Sequence, residues 1–365
     1  MVLYVVIAAA ILLALAVGAN YNKNAIMKSN TGVISRKNVG DERLYFFVVL
    51  LFLWVLTAFR SSNIGNDTPT YLNYFTRINL WGINKDFAIE IGYQYYCLII
   101  GKITMSGAGL LIITATICYL GVGIYVYKYS KNLMFSLVLL FCTCFSIFTN
   151  ILRQSLAMVI CLYAYQAIRH RKLITPIALI LLAYTFHKTA LICFAFFLKG
   201  LCPKRMWFVA FVAIVLAVLS VSGMLSKILL KIIPEYAGYF SGKYVGSGRL
   251  AVTYSIVQSF VFCCVIYCAN RKNGYCDKLV TTNFVGLLLL NCLAYSVNLF
   301  TRASTYFMLI GIVELPNALM ALPKEERKFL TYVIGLVMVA MVFVSMIFRP
   351  EWNRLYPYEF WNFSG

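Results

Sequence analysis

Long apolar runs recur along this chain, separated by short stretches in which Lys, Arg, Asn and Gly gather. Runs at 2–19, 44–59, 107–127, 133–149, 151–168, 173–186, 188–199, 206–222, 251–269, 279–300, 303–322 and 329–348 each predict a helical segment. The runs are continuous, whereas a barrel strand would alternate apolar and polar residues over ~10 positions. In lipid, backbone groups must bond within their own segment, which selects helices. Roughly 20 apolar residues cross a bilayer once. The pattern predicts an all-α, polytopic integral membrane bundle forming one domain over 1–365, with about 11–12 membrane-crossing segments.

Composition agrees. Apolar residues make up 62% of the chain and charged residues 12%, against about 25% charged in a soluble domain. The net charge of +20 points to the positive-inside bias of membrane loops, not to a nucleic-acid partner. Most cysteines lie inside apolar runs, where they act as small hydrophobes. No CxxC or Cys/His ligand spacing appears, so a zinc site or a disulfide framework is not expected, and no carboxylate cluster resembles a divalent-metal cage; the expectation is no metal and no cofactor. The N-terminus is apolar from Val2 without a basic lead, which predicts a first span with its N-terminus outside rather than a cleaved signal peptide.

Basic loops fix the expected orientation. Lys23, Lys28, Arg36, Lys37 and Arg43 precede the second run, Lys128 and Lys131 follow the third, and Arg169, Arg171 and Lys172 follow the fifth. All belong in the cytoplasm by the positive-inside rule. Were 173–198 a single span, the later basic loops at 199–205, 271–278 and 324–328 would fall outside. A reversal at Phe186-His187-Lys188 returns them to the cytoplasm, which predicts a broken, re-entrant helix pair meeting at His187 near the outer face. The outer side then receives loops at about 60–106 and 223–250, the turn at 149–154 and the tail 349–365.

The chemistry gathers on that side. Arg60 leads into Gly65-Asn66-Asp67-Thr68-Pro69-Thr70-Tyr71, a turn-rich stretch. Arg60 is suited to phosphate and Asp67 to a proton or a sugar hydroxyl, although a solvated turn would read the same way. Arg153 and Gln154 open a helix from the outer boundary, as Arg302 and Tyr306 do later. Such arginines bind anions in a cavity or snorkel to headgroups. His187 and Lys188 interrupt an apolar stretch. Imidazole suits proton removal near neutrality, with a structural histidine as the blander reading. His170, inside Arg169-His170-Arg171-Lys172, reads as part of a solvated charge run. Glu314 either pairs with a basic residue or shuttles protons. Lys227, Lys231, Lys243 and Arg249 lie among Tyr236, Tyr239 and Tyr244, a mixture that binds phosphates and sugars or anchors the interface.

The ordered motifs Arg60…Gly65-x-Asp67…Tyr71…Phe75, Glu90-x-Gly92-Tyr93, Arg153-Gln154-x-x-Ala157, Phe186-His187-Lys188-x-Ala190, Arg302…Tyr306-Phe307…Leu315-Pro316 and Tyr356-Pro357-Tyr358-x-Phe360 resemble the EpsG/Wzy-type family of bacterial polysaccharide polymerases over residues 40–360. That resemblance implies a GT-C-like glycosyltransferase in the cytoplasmic membrane, its active site facing outside. It would join undecaprenyl-diphosphate-linked oligosaccharide repeat units, donor and acceptor alike, without a metal. It further implies that a chain-length regulator and a repeat-unit flippase are partners. On this reading His187 is the first choice of base and Asp67 the second. Arg153, Arg60 and Arg302 hold the diphosphate with Lys188, and Gln154 and Arg249 add polar contacts. Tyr71 and Tyr306 pack on sugar rings.

Three alternatives stay open on sequence. A glycan ligase would use the same chemistry. A flippase or transporter of lipid-linked oligosaccharide would need polar residues across the whole bilayer, whereas here they crowd one side. A membrane O-acyltransferase would need a cytoplasmic acyl donor to reach His187.

Overall fold

The computed structural model describes residues 2–20, 26–28, 34–36, 40–84, 87, 89–201, 203–232, 249–273, 277–297 and 299–362. Lys23, Lys37, Tyr236, Tyr239, Lys243 and Tyr244 lie outside the described residues, as do positions 233–248 of the expected outer loop and 363–365 of the tail. In chain order the helices are α1 (Val2–Ala19), α2 (Gly40–Ala58), α3 (Thr68–Trp81), α4 (Ile91–Gly101), α5 (Gly107–Tyr129), α6 (Leu133–Asn150) and α7 (Leu152–Arg169). They continue as α8 (Ile174–Phe186), the 3₁₀ segment Lys188–Leu201, α9 (Met206–Val221), α10 (Met224–Ile232), α11 (Arg249–Asn273), α12 (Lys278–Ala294), α13 (Leu299–Leu319) and α14 (Lys324–Phe348). A short antiparallel pair, β1 (Ile26–Lys28) and β2 (Ile34–Arg36), sits between α1 and α2. The segment expected as a loop at 60–106 thus folds into α3 and α4, each with its buried residues at helical spacing.

The outer faces of the bundle are apolar. Trp207, Phe211, Ile214 and Val218 on α9, and Phe329, Val333, Leu336 and Val344 on α14, are exposed. Water would not tolerate stripes of this length, and lipid does. Four helical stretches, Gly107–Tyr129, Leu133–Asn150, Ala251–Arg271 and Lys324–Phe348, are long and apolar enough to cross a membrane by themselves. The chain is a polytopic helical membrane protein. Helix α6 lies at the centre, buried nearly all round and packed against α1, α2, α13 and α14.

Polar residues pin the two ends of the bundle. At one end, Asn132 caps α6 by accepting from Phe135 N–H at 3.1 Å and donates to Gly18 O at 2.7 Å. At the same end Asn317 accepts from Lys131 N–H at 2.7 Å and donates to Tyr129 O at 2.9 Å. Arg169 there bonds Asp277 at 2.5 Å, Glu314 at 2.6 Å and Tyr165 Oη at 3.1 Å. Glu314 is therefore one partner of a structural ion pair. Glu314→Gln would leave Arg169 with Asp277 as its one remaining carboxylate among the described residues. Because Glu314 is 4% exposed, we expect a loss of about 2 kcal/mol, within the ~1–3 kcal/mol typical of a buried group robbed of its partner. A lowered melting temperature in detergent checks this, and an unchanged one contradicts it.

The other end is built by the break after α8. Helix α7 stops in a Schellman turn: Arg171 takes φ 57°, Lys172 N–H donates to Ala167 O at 3.0 Å, and Arg171 N–H donates to Ile168 O at 3.1 Å. Helix α8 then returns along α7 and ends at Phe186, where His187 is extended (φ −156°, ψ 121°). The next residues descend beside α7. Thr189 meets Tyr306, Phe196 packs on Tyr165 at 5.1 Å, and Lys199 Nζ donates to Ile168 O at 3.3 Å. The chain thus reverses direction at His187. The descending limb is a 3₁₀ helix of 14 residues. At ~2.0 Å per residue it spans about 28 Å, close to the ~30 Å of a hydrocarbon core, although its residue count suggests only a half-span.

Candidate active site

Five chain segments meet at the end that carries His187: the Arg60–Asp67 loop with α3, the start of α4, the α6–α7 turn, the α8 break and the start of α13. The loop is shaped by Gly65 at φ 88°. A Cβ there would lie 2.7 Å from Thr149 O and 2.7 Å from Thr68 Oγ1, so a side chain would separate the loop from the α6–α7 turn. Asp67 N–H donates to Asn150 Oδ1 at 3.4 Å, and Asn66 Nδ2 donates to Trp352 O at 2.8 Å. The C-terminal tail is thereby tied over the same end.

Glu90 is the hub, and sequence reasoning gave it no role. It stands at the N-cap position of α4, and its Oε2, instead of capping the helix, pairs with Arg153 Nη1. Its Oε1 accepts from Lys188 N–H at 3.0 Å, the first amide after the break. The Arg153 guanidinium also lies 5.7 Å from the centre of the Tyr71 ring. Tyr71 packs in turn on Tyr93 at 5.8 Å. The sequence signal was present in Glu90-x-Gly92-Tyr93: an acid at a helix start, a glycine, then a buried aromatic. Gly92 has its own task, since a Cβ there would fall 2.3 Å from Thr185 Oγ1 and 2.7 Å from Thr185 O. The backbone oxygen cannot rotate away. We expect Gly92→Ala to push α4 off the end of α8, destabilising by about 1–3 kcal/mol as overpacked positions do and lowering activity. Wild-type melting temperature and turnover in this variant would contradict the contact.

His187 lies at the break, outside both flanking helices, and is 6% exposed. Its Nδ1 lies 2.6 Å from Thr189 Oγ1, and Thr189 donates to Tyr306 Oη at 3.3 Å. A hydroxyl that donates to Tyr306 must accept from Nδ1–H, which leaves Nε2 as the proton acceptor. Burial pushes the imidazole down to about 4; the Glu90 carboxylate opposes this, and Arg153 and Arg302 reinforce it.

The other expected residues divide into open and covered groups. Arg302 and Asp67 face each other at 4.0 Å, each side chain 42% exposed. Lys188 is exposed. Gln154 is buried and donates to Arg302 O and Thr305 Oγ1, both at 2.6 Å, so it sets the α13 start against α7. Its Oε1 has no partner among the described residues. Tyr71 and Tyr306 are buried, and protein covers their rings. Arg60 is brought to the same end but fully buried, its Nη1 donating to Thr57 O beneath the tail. There Arg60 bridges to Phe360, and Ser61 N–H donates to Glu359 O at 2.9 Å. Burial holds its pKa down, to about 10. Arg249 opens α11, and its side chain lies outside the described residues.

One cation-rich, base-bearing end on an apolar bundle fits transfer chemistry on an anionic amphiphile. A profile of the EpsG family matches residues 43–360. The chain belongs to the EpsG family. The match spans all five segments of the site and the tail as far as residue 360. As an EpsG-family member the chain is a membrane protein of the polysaccharide-polymerase type, associated with glycosyltransferase-like activity. No curated protein and no solved structure matches it.

Proposed function

We propose that this EpsG-family protein is a glycosyltransferase that joins oligosaccharide repeat units carried on undecaprenyl diphosphate, at the outer face of a bacterial cytoplasmic membrane. A GT-C-like bundle of about 11–12 crossing segments holds the site, with α8 and the 3₁₀ limb as a broken helix pair that rises from the cytoplasmic end and meets at His187 beside it. The observation that carries this reading is the convergence of Glu90, Arg153, His187, Lys188, Asp67 and Arg302 from segments far apart in sequence. The basic residues Lys128, Lys131, Arg169, Arg171 and Lys172 crowd the opposite end, which the positive-inside rule puts in the cytoplasm.

In the reaction, a hydroxyl at the non-reducing end of the incoming unit attacks the anomeric carbon of the growing chain. His187 Nε2 takes the hydroxyl proton as the new glycosidic bond forms. The bond from the anomeric carbon to the diphosphate oxygen breaks, and its electron pair leaves with undecaprenyl diphosphate. Arg302 and Lys188, the open cations, receive that charge in place of a metal ion. Arg153 is held by Glu90 and supports the site from behind, with its Nε unpartnered among the described residues. Asp67 orients Arg302 and accepts from sugar hydroxyls, and it is the second choice of base. Tyr71, Tyr306 and Gln154 position these groups. Arg60 anchors the tail over them. Arg249 and the basic residues that precede it in sequence would add attraction for the carrier's diphosphate. A chain-length regulator and a repeat-unit flippase are its expected partners.

Reconstitution tests the reading. Purified protein in vesicles, given a lipid-linked repeat unit, should produce a ladder of longer lipid-linked products. Movement of single units across the bilayer without elongation would identify a flippase, and transfer to a different acceptor a ligase.

A further inference from the structure

At the end opposite His187, a cleft of about 670 Å³ opens between the start of α9, the end of α11 and the start of α12. Its mouth carries Lys204, Arg205, Arg271 and Lys278, all exposed. None of the four has a carboxylate partner among the described residues. The adjacent Asp277 is committed to Arg169 at 2.5 Å and to the N–H groups of Leu279 and Val280. Trp207 and Tyr267 flank the mouth, and Tyr267 Oη donates to Pro203 O at 2.5 Å, which fixes its ring at the rim.

The cleft does not end at the cations. Helices α9 and α11 both pack on α12 and only weakly on each other, which leaves a furrow between them. From Trp207 an exposed apolar stripe continues along α9 through Phe211, Ile214 and Val218. From Cys268 another runs along α11 through half-buried Cys264 and exposed Val261 and Val257, each at helical spacing. A cationic mouth continuous with an apolar, lipid-facing furrow matches a molecule with an anionic head and long acyl chains. Aromatic residues at the mouth suit the headgroup level of a bilayer. Basic pockets between membrane helices bind lipid headgroups in this way. We infer that this cleft is a binding site for an anionic phospholipid, its phosphate held by Arg205, Arg271, Lys204 and Lys278 and its chains laid between α9 and α11. The site is separate from the glycosyl-transfer centre and does not depend on the proposed reaction.

The test is native mass spectrometry of the full chain in detergent, titrated with phosphatidylglycerol or with phosphatidylethanolamine of the same acyl chains. We expect phosphatidylglycerol to be retained preferentially. R205Q/R271Q should weaken that retention about tenfold, since each surface cation contributes appreciably to anionic-lipid attraction. R171Q/K172Q removes two exposed charges from the same end outside the cleft and should leave retention unchanged. Glycerol 3-phosphate should not displace the lipid. Equal retention of the two lipids would overturn the inference. So would equal losses in the two variants, which would mean a diffuse positive field, or displacement by glycerol 3-phosphate, which would mean a soluble-anion site.

Discussion

His187→Ala is expected to abolish the product ladder, with a rate loss of about 100- to 10,000-fold, the range for removal of a positioned general base. The protein should still insert and melt near the wild-type temperature, because the ring makes one side-chain hydrogen bond, to Thr189. The same residue sets the pH profile. A base works deprotonated, so the rate falls as pH drops through its pKa in the folded protein. Burial places that pKa near 4, below the ordinary 6.5. The rate should therefore hold between about pH 7 and 5 and fall only below that. Weak basicity is no obstacle, since carboxylates serve as bases in glycosidic-bond chemistry. A larger loss in Asp67→Asn than in His187→Ala would move the base away from His187, and an acid limb near the ordinary 6.5 would mean that burial does not depress the imidazole.

Glu90→Ala should reduce turnover by roughly 100-fold without touching the reacting atoms. One carboxylate both neutralises Arg153 and holds the Lys188 amide. Without it the α8 break loses its tether, and a displacement of ~1 Å at a catalytic group is worth about 100-fold. Glu90→Gln keeps an acceptor for the Lys188 amide while removing the counter-charge, so its activity should be intermediate. A second readout separates positioning from general destabilisation. Glu90 raises the His187 pKa, so Glu90→Gln should shift the acid limb to lower pH. A normal limb with a lowered melting temperature would make Glu90 merely structural.

Helices α1, α2 and most of those from α5 onward were legible because each is an apolar run bounded by polar residues, whereas α10 folds within the stretch expected as the outer loop 223–250; the break at His187 announced itself through the charges of the loops beyond it. Helices α3 and α4 were hidden by their polar outward faces, although Tyr71, Phe75 and Ile78 recur at helical spacing. Asp67, Arg153, His187, Lys188 and Arg302 were legible as costly groups at span ends. What distinguishes their roles was not. The pairing of Arg153 with Glu90 spans 63 positions, and Arg60 is sealed by an isolated bridge to Phe360 in the tail, 300 residues away. Neither contact leaves a local trace. Burial of the Tyr71 and Tyr306 rings is likewise a property of packing between helices.

Thiol accessibility tests the reversal at His187 most directly. Single cysteines at positions 188 and 200, in a background without native cysteines, would be labelled in intact cells with a membrane-impermeant reagent. Position 188 should react from outside, and position 200 only after permeabilisation. Labelling of position 188 solely from the cytoplasmic side would contradict an external glycosyl-transfer centre.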